Sequence, residues 1–220
     1  PEVLKWIETP ACGLGEPGLG EIQIEAYATA LNGADLLQRK GMYPPPPGAS
    51  DILGLEVAGR VIKIGDGVRL WKPGDRVMAL LAGGGYAEQV VVHEALALQI
   101  PEELSWEEAG AVPEAFLTAY LELVRLGGLK RGESVLIHAG ASGVGTAAIQ
   151  IARELGARVL VTASSPAKLE ACIKLGADVG ISYKTEDFAA RVLEETGGKG
   201  VDCILDLVGA AHWAGNLRAI

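Results

Sequence analysis

The chain has 220 residues, of which 49% are hydrophobic and 21% are charged, and its formal net charge is −9. This composition predicts a soluble globular protein, and the acidic balance argues against nucleic acid or an anionic membrane as a principal partner. No apolar run approaches the ~18 residues of a membrane span, and the few scattered cysteines (Cys12, Cys172 and Cys203) exclude a disulfide framework or a zinc cluster and favour a cytoplasmic setting.

Residues 1–113 are predicted to form a mostly β, barrel-like domain. Residues 21–29 alternate apolar and polar side chains, which is typical of a half-buried strand. Glycine- and proline-rich turns separate the further elements. These are short strands at 57–64, 75–81 and 86–92 and one short helix at 34–40.

Tyr43 precedes four consecutive prolines, Pro44 to Pro47. Because proline fixes its own φ angle, this loop is expected to hold the tyrosine in place. Two interpretations are open, a phenol at the mouth of a substrate pocket and a tyrosine on the protein surface. Spacing alone favours the second.

From residue 114 onward the pattern changes to alternating strands and helices. Strands are predicted at 134–138, 158–163, 179–182 and 202–207, and helices at 143–156, 166–175, 186–196 and 210–220. Residues 104–124 form a partly helical bridge into this region. Such alternation predicts a second domain, 114–220, with a doubly wound parallel sheet, so the fold class is α/β.

The first strand of this domain leads into a glycine-rich turn, Gly140-Ala-Ser142-Gly143-Val144-Gly145. Strand, glycine turn and amphipathic helix in this order bind dinucleotide pyrophosphates, because glycine lets the backbone approach the phosphates and the helix N–H groups face them. We therefore predict a dinucleotide site here, with a plain strand-to-helix turn as the alternative. Ser142 replaces the usual middle glycine, so its hydroxyl and N–H are expected close to the nucleotide.

The end of the next strand carries Ser164, Ser165 and Lys168, where NAD-binding proteins commonly have a carboxylate. Hydroxyl and ammonium groups can donate to a 2′-phosphate that a carboxylate would repel. The sequence therefore favours NADP over NAD. The alternative is that Lys168 is a solvated helix residue.

Zinc is not expected. The three histidines, His93, His138 and His212, have no cysteine or histidine partner at the spacing of metal ligands. His138, at the end of the first strand of the second domain, is expected to pack against the fold.

Four longer motifs resemble the medium-chain dehydrogenases/reductases. They are Ala30–Tyr43, Gly54–Gly59, Gly74–Val77 and Ala139–Gln150. The zeta-crystallin-like quinone oxidoreductases are the most similar branch. Within it, the segments around Tyr43, Pro113 and His138 are most similar to the tumour-suppressor-inducible quinone oxidoreductases.

This resemblance implies a GroES-like catalytic domain, a Rossmann domain, and NADPH bound in the cleft between them. The pyrophosphate contacts it implies are Ser142, Gly143 and Val144, in the turn that also contains Gly140 and Gly145. The 2′-phosphate contacts it implies are Ser164, Lys168 and Tyr183. The residues it places on the nicotinamide and substrate side, as candidate catalytic residues, are Asn32, Tyr43 and Thr118.

Zinc-using relatives carry cysteine, histidine and cysteine at the positions of Asn32, Leu55 and either Pro113 or Glu114. Those ligands are missing here. The resemblance thus implies zinc-independent reduction of quinones by hydride or electron transfer from NADPH, with a proton from water or from Tyr43. It also implies a homodimer with links to oxidative stress and apoptosis.

Three alternatives remain open: a reductase of α,β-unsaturated carbonyls, a non-catalytic NADPH-binding chain and, against the acidic charge, an RNA-binding protein. The sequence starts at Pro1 and stops at Ile220 within a predicted helix. We therefore expect it to be part of a longer protein, lacking the first strand of the catalytic domain and the last two strands of the nucleotide-binding sheet.

Overall fold

The structure is a computed structural model that describes residues 4, 5, 7, 8 and 16–220. It consists of two compact units, of which the first ends at Glu114 and the second runs from Ala115 to Ile220. Cys12 lies outside the described residues.

The first unit is built on a five-stranded antiparallel sheet with the order β4-β1-β2-β3-β5. Its strands are β1 (Glu21–Ala28), β2 (Glu56–Ile64), β3 (Arg76–Leu80), β4 (Gln89–His93) and β5 (Ala97–Gln99). Its helices are α1 (Gly33–Gln38) and α2 (Trp106–Gly110), with a 3₁₀ turn at Glu94–Leu96. The helix α3 (Pro113–Tyr120) spans the boundary between the units.

Alternation of apolar side chains places β1 and β2 against one core. Ile22, Ile24 and Val57 are fully buried there, together with Val61 and Val77. The β-branched side chains suit this position because they pack well on a pleated surface.

The second unit is built on a parallel sheet with the order β8-β7-β6-β9. Its strands are β6 (Ser134–Ile137), β7 (Arg158–Ala163), β8 (Val179–Ser182) and β9 (Cys203–Leu205). Its further helices are α4 (Gly143–Leu155), α5 (Pro166–Leu175), α6 (Phe188–Glu195) and α7 (Trp213–Ala219). A π-helical segment, Leu121–Leu126, follows α3.

The buried face of α4 consists mainly of small side chains. Ala147, Ala148, Ile149 and Ala152 are fully buried, and Ile151 is partly buried. The small alanines let the helix approach the sheet closely, so the burial is wider than one stripe. The predicted α/β fold class, an antiparallel GroES-like sheet plus a parallel Rossmann-like sheet, is confirmed.

The carboxyl ends of all four parallel strands meet at one edge of the second sheet, as parallel pairing requires. That edge gathers residues following β6, β7, β8 and β9. Among the described residues, no helix combines the length and the apolar character needed to cross a bilayer.

Candidate functional site

A pocket of about 370 Å³ lies at the carboxyl edge of the parallel sheet. Its walls come from the segments that follow the four strands of the second unit. The residues that line it are Ala139, Ala141, Ser142, Ala163, Ser164, Lys168, Tyr183, Val208, Ala211 and His212. Four of the predicted cofactor-binding residues, Ser142, Ser164, Lys168 and Tyr183, thus share one pocket.

Ser142 is the N-cap of α4, and its polar groups already have partners. Its Oγ accepts a hydrogen bond from the Gly145 N–H at 3.1 Å, and its own N–H donates to the Ala139 carbonyl at 2.8 Å. The turn therefore uses the Ser142 N–H to close on itself, and this donor is not free for a ligand. The hydroxyl proton is still available for donation to a ligand.

The backbone N–H groups of the next two residues, Gly143 and Val144, have no hydrogen-bond acceptor within the described part of the chain. Two such donors at the start of a 13-residue helix, together with the helix dipole, favour an anion.

The three glycines of the turn have different roles. A Cβ on Gly145 would lie 2.5 Å from the Ala139 oxygen, and one on Gly140 would lie 2.9 Å from Val161 Cβ. These two positions need glycine because strand, turn and helix pack closely. A Cβ on Gly143 would meet no protein atom within 4 Å, so this position faces open space at the helix start.

Ala139 is the only non-glycine residue with positive φ in the described part of the chain, at 50°. A left-handed alanine is strained by contact between its Cβ and the following carbonyl. Ala139 also lines the pocket, so local strain lies at the candidate site, as is common for functional loops.

One wall of the pocket offers a cation and hydroxyl groups. Lys168 and Tyr183 are exposed, and Ser164 is half-buried. Among the described residues, no carboxylate lies within 4 Å of the Lys168 ammonium, and no protein group pairs with the Ser164 hydroxyl. These groups are therefore free to bind an anionic ligand.

Behind the opposite wall lies a buried hydrogen-bonded histidine, as expected for His138. Its Nδ1 is 2.9 Å from Thr162 Oγ1, and its Nε2 is 2.8 Å from Asn216 Oδ1. Burial lowers the pKa of His138, while the bond to Asn216 acts in the opposite direction. The imidazole is therefore neutral near pH 7.

In the first unit, Asn32 contacts a buried carboxylate that sequence reasoning missed. Asn32 Nδ2 donates to Glu56 Oε1 at 2.6 Å, and the Glu114 N–H donates to Glu56 Oε2 at 2.9 Å. Glu56 is 1% exposed, and this burial raises its pKa. The sequence signal was a glutamate between apolar neighbours, Leu55 and Val57.

A second buried carboxylate, Asp35, belongs to the same cluster. It accepts hydrogen bonds from the Asn32 N–H at 2.8 Å, the Gly54 N–H at 3.2 Å and the Tyr86 hydroxyl at 2.9 Å. Burial raises the pKa of the Tyr86 hydroxyl, and so, to a smaller extent, does its hydrogen bond to Asp35. Asn32 thus sits in a network of fixed hydrogen bonds within the first unit.

The remaining predicted catalytic residues, Tyr43 and Thr118, belong to different units. Tyr43 belongs to the first unit and is 46% exposed, which agrees with the surface position that spacing favoured. Thr118 lies on α3 in the second unit. The described residues hold no group of three or more His, Cys, Asp or Glu side chains placed to bind a metal ion.

Two family models match the chain. The alcohol dehydrogenase GroES-like domain covers residues 18–102, and the zinc-binding dehydrogenase domain covers residues 143–220. A mycobacterial quinone oxidoreductase of known structure is 36% identical, with a TM-score of 0.88 over 100% of this chain and 67% of that one. The chain belongs to the medium-chain dehydrogenase/reductase superfamily.

Other members of this superfamily are similarly related. Quinone oxidoreductase 1 of Escherichia coli is 40% identical over 100% of this chain, which spans 66% of that protein. The structure of the Escherichia coli quinone oxidoreductase complexed with NADPH has a TM-score of 0.85 at 38% identity, over 98% of this chain and 65% of that one. The CurK enoyl reductase structure has a TM-score of 0.85 at 34% identity, over 93% of this chain and 64% of that one.

Proposed function

We propose that this chain binds NADPH at the pocket of the second unit and belongs to a zinc-independent quinone reductase of the zeta-crystallin-like branch. The observation that carries the proposal is the unpaired Lys168 ammonium beside a glycine turn whose Gly143 and Val144 amides are open. The quinone oxidoreductase of Escherichia coli, solved in complex with NADPH, supports the choice of coenzyme.

The pocket suits the two anionic parts of this coenzyme. The open amides at the start of α4 fit a pyrophosphate, and the uncluttered space at Gly143 lets it approach the backbone. Lys168, Ser164 and Tyr183 fit the 2′-phosphate, because an ammonium and two hydroxyls all donate hydrogen bonds.

NADPH supplies a hydride when bound, and a quinone ring accepts negative charge without a Lewis acid. We propose that Asn32, Tyr43 and Thr118 line the nicotinamide and substrate side. The bond from Asn32 to buried Glu56 fixes the orientation of the amide. The proton that completes the hydroquinone comes from water or from the Tyr43 hydroxyl.

The second candidate is reduction of α,β-unsaturated carbonyls. It is supported by the CurK enoyl reductase, which is related to this chain about as closely as the quinone oxidoreductases are. Both reactions use a hydride from the same coenzyme, so the pocket of the second unit does not distinguish them. The tumour-suppressor-inducible subtype, the homodimer, the cytoplasmic location and the links to oxidative stress and apoptosis stay predictions.

The test is NADPH binding followed by turnover in the full-length protein. Binding is measured by nicotinamide fluorescence, and oxidation of NADPH is then followed with a panel of ortho- and para-quinones and a matched set of enals. Turnover of quinones well above enals supports the proposal. Preference for enals selects the second candidate, and binding without turnover of either class indicates a non-catalytic chain.

A further inference from the structure

The segment from Asp206 to His212 forms one wall of the pocket, and it is irregular. It joins β9 to α7 and carries Val208, Ala211 and His212 on the pocket surface. Asp206 fixes its start, because Oδ1 accepts hydrogen bonds from two successive backbone N–H groups, Val208 and Gly209, both at 2.8 Å. A short turn is thereby closed beside the pocket.

Asn216 joins this wall to the sheet. Its Nδ2 donates to Asp206 Oδ2 at 3.0 Å, and its Oδ1 lies 2.8 Å from His138 Nε2. Because the amide nitrogen faces the carboxylate, the amide oxygen must accept, so His138 carries its proton on Nε2. His138 Nδ1 then accepts from the Thr162 hydroxyl at 2.9 Å.

The result is one hydrogen-bonded network that links β7, the residue after β6, α7 and the segment after β9. His138 and Thr162 are fully buried and Asn216 is 7% exposed, so water cannot replace a missing partner. None of these three lines the pocket, but His138 immediately precedes Ala139, which does. This buried network therefore connects the wall that contains Ala139 with the wall formed by residues 206–212.

We propose that the Asn216–His138 bridge is a positioning element that holds the 206–212 wall in place and sets the affinity for NADPH. This inference rests on the proposed NADPH site. Both residues act through others: Asn216 through Asp206, and His138 through the turn that begins at Ala139. The bridge takes no part in hydride transfer.

The test uses Asn216→Ala and His138→Phe in the full-length protein. Each substitution is expected to raise the Kd of NADPH about tenfold, while kcat at saturating NADPH stays within about twofold of wild type. Because both variants break one bridge, the double variant is expected to bind little worse than either single variant. His138→Gln places an amide N–H near the former Nε2–H and is expected to recover most of the affinity.

A matched control separates positioning from a general loss of stability. Val192 on α6 is fully buried in the second unit, in the cluster around Leu136 and Leu160, and does not line the pocket. Val192→Ala is expected to lower stability and leave the Kd of NADPH unchanged. If it weakens binding as much as Asn216→Ala does, the positioning role is wrong.

The remaining outcomes separate the two proposals. Wild-type protein that fails to bind NADPH overturns the proposed function itself. Wild-type protein that binds NADPH, with Asn216→Ala and His138→Phe binding equally well, overturns the bridge and leaves the proposed function standing.

Discussion

Lys168 is the one lysine or arginine among the residues that line the pocket. We expect Lys168→Ala to weaken NADPH binding about tenfold to a hundredfold, since a charge-assisted hydrogen bond to the 2′-phosphate is lost. NADH lacks that phosphate, so its Kd is expected to stay unchanged. Fluorescence titration with both coenzymes measures the difference.

Lys174 provides the control for this substitution. It lies on the same helix, α5, but its ammonium pairs with Glu170 at 2.7 Å on the solvent side. Lys174→Ala removes the same charge and is expected to affect neither coenzyme. Equal losses of NADPH and NADH affinity in Lys168→Ala would remove the case for a 2′-phosphate site.

For single residues, the sequence predicted candidate binding side chains from local motifs, but it did not predict hydrogen bonds between residues far apart in the sequence. Ser142 and Ser164 follow strands in recognisable turns, and Lys168 lies in the first turn of α5, so local motifs were enough to predict these three residues. His138 and Asn216 are 78 positions apart, and their bond depends on how α7 folds back on the sheet. No periodicity of 2 or 3.6 residues encodes such a pair.

We propose that coenzyme binding depends on the glycine turn and α4. Substitution of one glycine of this turn tests its stability, and substitution of another tests its binding of the coenzyme. Gly145→Ala is expected to lower the free energy of unfolding by about 1–3 kcal/mol, because the new Cβ presses on backbone oxygens. Gly143→Ala adds a methyl group in open space, so stability is expected to hold. That methyl lies where the pyrophosphate would approach, so the Kd of NADPH is expected to rise.

Urea denaturation and NADPH titration of both variants measure these opposite effects. Gly143→Ala protein that is as stable as wild type and binds NADPH equally well would show that the phosphates do not approach this turn. A stable Gly145→Ala variant would show that the turn can open without cost.

Most elements were predictable because their patterns are long. The parallel strands and α4 to α7 fell close to their predicted bounds, since strand and helix periods alternate there. The three-residue strand β5 was missed, because Ala97–Gln99 is too short to show alternation. The Glu56 and Asp35 cluster was missed for a different reason, because burial of a carboxylate depends on neighbours from α1, β2 and the Tyr86 loop.

For the whole molecule, two buried titratable groups respond to pH in opposite directions. The folded-state pKa of His138 is lowered from its ordinary value of 6.5, so its contribution to stability is present above that pH and is lost as the pH falls. The folded-state pKa of Glu56 is raised from 4.5, so its contribution is present below that pH and is lost as the pH rises.

The histidine effect can be measured directly. Between pH 7 and pH 5 the free energy of unfolding of the wild-type protein, from urea denaturation, is expected to fall more than that of His138→Phe. The phenylalanine variant keeps the other titrating groups, so the difference between the two slopes reports His138 together with its charge coupling to Asp206 and His212. Parallel slopes would mean that the imidazole takes up a proton equally well in the folded and unfolded chains.

Each of the four hydrophobic clusters that the described residues form draws its members from one unit alone. A crossover between residues 114 and 115 of this sequence therefore leaves every one of these clusters with its original members. Among recombinants with homologous reductases, coenzyme preference is then expected to be inherited with residues 115–220.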